Sequence, residues 1–400
     1  MARAMEHVSH TDQLERLLIE LTEAVKVSAA SPKSNVNEIA RKIVTMTQDP
    51  ETTWINQCVT MSEYAAIRVF MKWKAFEEIP LDGSISYKDL AKRCGAEEAI
   101  TTRFARMLVS AGILEQAGED HVVHTEQSKV YRDFHPSGVM FQMQFDEMMA
   151  AYVRLPEYFE LYGRKEPTGQ THTPCSFAFG QLDATFWDIV NEDPERMRVF
   201  MQSMNTLESQ LPISGIYDFG WIANYVQDEP GRIVFVDVGG GKGQAIVAIS
   251  KEHPELPRER FVLQDLQDII EEVEKTAAAD LEGVKLMAVD FHKGQPINGA
   301  LVYWVRRVLH DYSDDVCVGI LKLLAGAMSV DSKCLICEQL MSSSPSPLTA
   351  YTDMAVMTIG GKDRSLEDYE RLAQRAGLKV MKHWSIASSA MGVVECVRAY

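Results

Sequence analysis

Apolar residues recur at helical spacing near the start of the chain. Leu14, Leu17, Leu18, Leu21 and Val25 form one stripe over residues 11–30, which predicts an amphipathic helix. From about residue 60 to residue 125 the pattern shortens. The segment SYKDLAKRCG predicts a short helix, AEEAITTRFARMLVSAGIL places Ile100, Phe104, Met107 and Leu108 on one helical face, and ILEQAGEDHVVHT predicts a hairpin that turns near Gly118. Two helices followed by a two-stranded wing make a winged-helix arrangement. Residues 135–215 are helical in pattern, interrupted by GRKEPTGQTHTPCSFAFG, a loop rich in Gly, Pro and Thr.

From about residue 232 the period changes again. RIVFVDV, RFVLQDL, VKLMAVD, ALVYWV and KCLICEQL are apolar runs of strand length, separated by helical stretches such as GQAIVAISKEHP and DDVCVGILKLLAGAM. Buried strands alternating with helices predict a parallel sheet with crossover helices on its faces. The end differs, because KVMKHWSI and GVVECVRA are joined by a short turn and predict a hairpin with an antiparallel edge strand.

At 400 residues the chain exceeds the roughly 250–300 that one core usually serves, so two domains, or one with a large helical extension, are expected. A net charge of −17 argues against a protein built to grip phosphate backbones, and no nucleic-acid partner is expected. No apolar run approaches the roughly 18 residues of a membrane span, and MARAMEHVSHTDQLERLLIELTEAV has no apolar leader core. A cytoplasmic protein without membrane association is the expectation. Seven cysteines, an odd number scattered along the chain, fit reduced thiols. Cys334 and Cys337 spell C-x-x-C, but within a strand, where positions three apart point to opposite faces, so no redox pair or zinc site is expected.

The candidate chemistry begins at FVDVGGGKGQ, residues 235–244. Glycine-rich strand-to-helix turns serve phosphates, dinucleotides and S-adenosylmethionine alike. A P-loop is excluded because Lys242 is followed by Gly243 rather than by a hydroxyl residue. A dinucleotide fingerprint counted from Gly239 and Gly241 puts Gln244 where glycine or alanine is needed. The pattern D-x-G-x-G-x-G is met by Asp237, Gly239, Gly241 and Gly243, and it suits a ligand whose methionine moiety and ribose need bare backbone close by. Asp265 ends the next strand, where a carboxylate accepts from ribose hydroxyls, and Asp290 ends the third, placed to accept from an adenine amino group with Phe291 beside the ring. Gly240 and Leu266 complete this stretch of candidate cofactor contacts. His310 lies just past the fourth strand, at the carboxyl edge where open α/β sheets bind ligands. A neutral imidazole there can take a phenolic proton at physiological pH.

The motifs VDVGGGKG, LQDL, AVDF, WVRRVLHDYSDD, ICEQ and GGKDRS together resemble the plant and fungal small-molecule O-methyltransferases of the caffeate and flavonoid type, class I S-adenosylmethionine enzymes of secondary metabolism. The resemblance covers nearly the whole chain. It implies an α/β fold, a doubly wound Rossmann-like sheet of seven strands with the last antiparallel, and an N-terminal winged-helix domain that forms a homodimer. Residues 1–134 would be that domain, 135–215 a helical linker contributing to the acceptor pocket, and 216–400 the cofactor-binding domain. The resemblance makes His310 the general base and puts Glu338 and Asp363 beside it as orienting acids, although the second is usually glutamate. Arg306 stands where plant relatives carry a lysine that contacts the cofactor. Asp311, adjoining His310, is expected to be structural or to face the cofactor.

The acceptor, a small hydroxylated molecule, is expected to meet side chains of the methionine-rich stretches VMFQMQFDEMMAAYV and PERMRVFMQSM. Met197, Met201, Met354, Met357 and Thr358 are the candidates; flexible methionines fill irregular cores and also line adaptable pockets. No metal ligation pattern is present. Two other readings remain open: a protein of this fold that uses the sulfonium as a fixed charge for cyclisation or dehydration, and a DNA-binding regulator with a degenerate enzyme domain.

Overall fold

A computed structural model describes residues 9–28, 36–208, 211–386 and 389–399. It divides into two compact units, 1–133 and 134–400, and the helical segment 135–215 lies within the second.

In the first unit the expected initial helix runs His10–Ser28; positions 29 and 30 fall outside the described residues. Its less exposed stripe is Leu14, Leu17, Leu21 and Ala24, whereas Leu18 and Val25 are exposed, so the apolar side is narrower than the sequence pattern suggests. The hairpin turning at Gly118 forms as β2 (Leu114–Ala117) and β3 (His121–His124), and the two-residue β1 (Ile85–Ser86) pairs with β3 on its other side. Between β1 and β2 lie helices Tyr87–Cys94 and Glu98–Ser110. Ser86 caps the first by accepting from the Asp89 amide, and Gly95 ends it in the left-handed region that glycine tolerates. The second buries Thr101, Ala105 and Leu108 most deeply, one position round from the expected Ile100, Phe104 and Met107, which are only half-buried.

The second unit holds the sheet. Its strands are β4 (Phe235–Val238), β5 (Phe261–Asp265), β6 (Lys285–Ala288), β7 (Val302–Arg306), β8 (Lys333–Gln339), β9 (Leu378–Ser385) and β10 (Met391–Arg398). They lie in the order β6-β5-β4-β7-β8-β10-β9; β4 to β8 pair in parallel, and β10 is antiparallel to both neighbours, so the antiparallel strand expected at the edge lies inside the sheet and the edge is β9, which runs the same way as β8. The turn of the terminal hairpin, positions 387 and 388, falls outside the described residues.

Because successive strand residues face opposite ways, each strand feeds two cores. Val236, Val238, Tyr303 and Val305 pack with Cys317, Ile320 and Leu324 of helix Asp314–Ala327 and with Tyr369 and Leu372 of helix Leu366–Arg375. Phe235, Val302 and Trp304 face the other way, onto Ala245, Ile246 and Ile249 of helix Gln244–Glu252 and Ile270 and Val273 of helix Gln267–Thr276. Helices on both faces make the sheet doubly wound. Cys334 belongs to the first core and Cys337 to the second, as the strand reading requires. The order reverses between β4 and β7, so a crevice opens at their carboxyl ends, the usual ligand position in such sheets. Residues 136–201 add a third cluster, in which a π-helical turn over Gln144–Met148 interrupts the helical run.

Candidate active site

The glycine loop leaves the end of β4. Gly239, Gly241 and Gly243 all have left-handed backbones, with φ of +68°, +55° and +78°. These glycines were expected to make room for a ligand, but the space they leave is filled mainly by the protein itself. A Cβ at Gly240 would lie 2.4 Å from Leu263 and 2.5 Å from the Asp237 carboxyl carbon; one at Gly239 would lie 2.9 Å from Val308, and one at Gly243 2.8 Å from Leu281. Only at Gly241 would a Cβ meet nothing nearer than 3.7 Å, and there the backbone conformation is what demands glycine. Lys242 pairs with Glu272 at 2.8 Å rather than facing a phosphate position.

Asp265, at the end of β5, grips the loop. Its Oδ2 accepts from the Gly241 amide and its Oδ1 from the Leu266 amide, both at 2.8 Å, while burial raises its pKa. Each oxygen keeps a further lone pair for hydroxyl donors. Leu266 is exposed. Asp290 lies two residues beyond β6, where its carboxylate accepts from the His292 amide at 3.0 Å and pairs with Lys293 at 2.8 Å, which holds its pKa below the usual value. Phe291, His292 and Tyr312 gather their rings, with centroids 4.7 to 6.1 Å apart. A fixed carboxylate over an open, left-handed Gly241 and an aromatic cluster beside Asp290 form a donor and acceptor set that fits an adenosyl ligand. Arg306, at the end of β7, donates through Nη2 to the carbonyl of Leu211 at 2.9 Å, so it anchors the chain that enters the sheet domain.

Beyond β7, Arg307 takes a left-handed backbone, φ +52°, and turns the chain into a single 3-10 turn, Leu309–Asp311. His310 sits buried in that turn. Its Nδ1 lies 3.8 Å from Glu338 Oε2 and 3.7 Å from Asp363 Oδ1, and both carboxylates are fully buried. Glu338, on β8, uses Oε1 to accept the amides of Val308 and Leu309, each at 2.9 Å. Asp363 uses Oδ2 to accept from Thr352 at 3.2 Å. Glu338 Oε2 and Asp363 Oδ1 have no hydrogen-bond partner, and the imidazole at 3.7–3.8 Å is the charged group they face. The sequence brought these three residues together by resemblance, and the shorter Asp363 reaches as far as Glu338 does.

Asp311 does not behave as expected. Its Oδ1 lies 3.4 Å from His310 Nε2, because a 3-10 turn, unlike a strand, lets adjacent side chains lean together. Burial depresses the basicity of His310, but the carboxylates of Asp311, Glu338 and Asp363 outweigh it and raise its pKa to about 9. Burial also pushes Glu338 up. Two amides on Oε1 and an imidazole beside Oε2 favour its ionised form, so the raised histidine governs the pair.

The methionine candidates lie on two helices. Met197 and Met201, on helix Pro194–Glu208, pack partly buried against the cluster of Val139, Met143, Met148 and Phe186. Met354 and Met357 lie on helix Pro347–Met357; Met354 is exposed, and the buried Thr358 spends its hydroxyl on the Ala355 carbonyl at 2.6 Å. Arg364, to which no sequence motif assigns a role, lies fully buried next to Asp363. The signal was present in GGKDRS, where two glycines and an arginine flank the aspartate. A Cβ at Gly361 would lie 2.2 Å from the His310 carbonyl, and one at Gly360 2.0 Å from that of Gly169. Among the described residues no cluster of three or more His, Cys, Asp or Glu could hold a metal ion.

An O-methyltransferase domain matches residues 165–379, and methyltransferase cfoD of Aspergillus candidus is 37% identical over 97% of this chain and 99% of its own. The chain belongs to the O-methyltransferase family and is an S-adenosylmethionine-dependent O-methyltransferase. The crystal structure of OxaC covers 98% of this chain and 100% of its own at a TM-score of 0.84 and 22% identity. A pericyclic reaction enzyme covers 96% of this chain and 99% of its own at a TM-score of 0.77 and 19% identity. At these identities both likenesses are of fold. Among the described residues no helix is long and apolar enough to cross a membrane.

Proposed function

We propose that the protein methylates a hydroxyl of a small aromatic or polyketide-like molecule, with His310 as general base. The observation that carries this is the buried imidazole enclosed by Asp311, Glu338 and Asp363 at the switch-point edge of the sheet. Bound S-adenosylmethionine supplies an electrophilic methyl group on a sulfonium cation. Asp265, the loop Gly239–Gly241 and the Asp290–Phe291 corner would hold it, with Asp237, Leu266 and Arg306 at the margins of that site. In the neutral ring Glu338 and Asp363 favour the proton on Nδ1, so that Nε2, beside Asp311, accepts the acceptor's hydroxyl proton; with the pKa raised to about 9 this neutral ring, expected to prevail at physiological pH, is the minority form there and grows as pH rises. The imidazolium so formed sits among carboxylates that stabilise it. An in-line displacement also requires the acceptor oxygen about 3 Å from the methyl carbon, and Met197, Met201, Met354, Met357 and Thr358 are the candidate walls that set this position.

Incubation with radiolabelled S-adenosylmethionine and a panel of phenols tests the reaction; labelled ether products are expected, and no label in any acceptor would count against it. The fold-level neighbour that catalyses a pericyclic reaction defines the alternative. An intact base with two orienting acids supports methyl transfer, and consumption of cofactor with turnover separates the two. Residues 1–134 fit the role of a winged-helix dimerisation arm, supported by Trp54, Ile55, Met61 and Ile19, which stand exposed on its helices.

A further inference from the structure

We propose that Arg364 is a positioning residue for methyl transfer, acting by gripping both ends of the turn that carries His310. This rests on the reading of His310 as the base. The guanidinium is fully buried, a state an arginine keeps only when its donors are used. Its Nη1 donates to the carbonyl of Leu309 at 2.8 Å and its Nη2 to that of Tyr312 at 2.7 Å, so one planar fork straddles the histidine. Its Nε donates to Asp314 at 2.9 Å, at the start of the following helix. The same segment serves the intervening residue, because the Lys362 amide donates to the His310 carbonyl at 2.7 Å. Gln170, from the loop over residues 163–173, donates its side chain to the Asp311 carbonyl at 3.0 Å. Every carbonyl from Leu309 to Tyr312 is thus held from outside the turn.

The backbone of Arg364 is anchored in turn. Its carbonyl accepts from the Met341 amide at 2.9 Å, and it bridges to Leu340 just past the strand that carries Glu338. Residues 361–364 therefore set both the backbone of His310 and, through Asp363, the direction of its ring. A 3-10 turn has few internal hydrogen bonds to fix it, so its register depends on these external donors. Lysine cannot replace this grip: a single ammonium lacks the fork that spans two carbonyls.

The test uses the full chain and a phenol that the native protein methylates. Arg364→Lys is expected to lower kcat by about 10²-fold, with the KM for S-adenosylmethionine and the calorimetric Kd for S-adenosylhomocysteine within about twofold of native. Arg364→Met is expected to lose more, and Arg364→Lys keeps the question answerable if that variant fails to fold. The second measurement is NMR titration of histidine-labelled protein, with the His310 signal assigned by its loss in His310→Gln. In Arg364→Lys this titration is expected to move down toward the ordinary histidine value, as the ring leaves its carboxylates. A folded Arg364→Lys with native kcat and native His310 titration overturns the proposal, whatever its melting temperature. If His310→Gln methylates as native does, the base reading itself fails and this one with it.

Discussion

His310, the proposed base, is a buried imidazole whose charged form is favoured by three carboxylates and opposed by desolvation. Replacing it with glutamine keeps the volume and removes the proton acceptor. The expected result is a fall in kcat of about 10²- to 10⁴-fold with cofactor affinity unchanged by calorimetry. The acid limb of kcat/KM, which reports the free enzyme, is expected to titrate near the raised value of about 9, and Glu338→Gln to move it toward lower pH. The same shift links to stability. A folded-state pKa raised above the unfolded value of 6.5 contributes stability that is fully present below pH 6.5 and lost as pH rises through about 9. Denaturant titrations at pH 6 and pH 10 check the sign: native protein should lose more stability across that window than His310→Gln does. His310, Glu338 and Asp363 were legible from their motifs, and of the aspartates expected at strand ends Asp265 ends β5 while Asp290 lies two residues past β6. Arg364 was not legible, because a buried arginine looks like a surface one until the carbonyls around it are known.

Each element owes its shape to a few local requirements. The loop after β4 keeps its course because three glycines take left-handed backbones and a fourth, Gly240, sits against Leu263 and Asp237. Gly240→Ala is expected to push the loop off Asp265 and weaken S-adenosylhomocysteine binding by more than about tenfold, measured by calorimetry, since the clash is with packed core and not with a flexible tip. Gly361→Ala should show the opposite profile, with kcat reduced and cofactor affinity kept, because its Cβ would strike the His310 carbonyl. Strand periodicity made β4, β5, β7 and β8 readable, since fully buried parallel strands are continuous apolar runs. On helix Glu98–Ser110 the expected Leu108 is fully buried, but Thr101 and Ala105, small enough to pack closely, outrank the expected Ile100, Phe104 and Met107 in depth. The π-helical turn over Gln144–Met148 left no mark in the periodicity, which is that of an ordinary helix on both sides.

At the scale of the molecule, two compact units share one chain, and the second carries the seven-stranded sheet and His310. If the first unit joins two copies, glutamates at Trp54 and Met61 should convert the dimer into a monomer in sedimentation velocity at micromolar concentration. An unchanged mass, or a monomeric native protein, would remove that proposal. The alternation of strand and helix in the sequence already determined a parallel sheet with crossover helices, a terminal antiparallel hairpin and the edge where a ligand belongs, because periodicity is local, whereas the doubly wound seven-stranded form came from the family resemblance. The alternation also placed the carboxylate of Asp265 at a strand tip. Only the tertiary structure decided that Asp311 leans onto the imidazole, that the loop glycines answer to the protein's own packing, and that Arg364 grips the turn carrying His310. Those relations depend on atoms far apart in the chain meeting within a few ångströms, and no spacing along one strand of sequence encodes that distance.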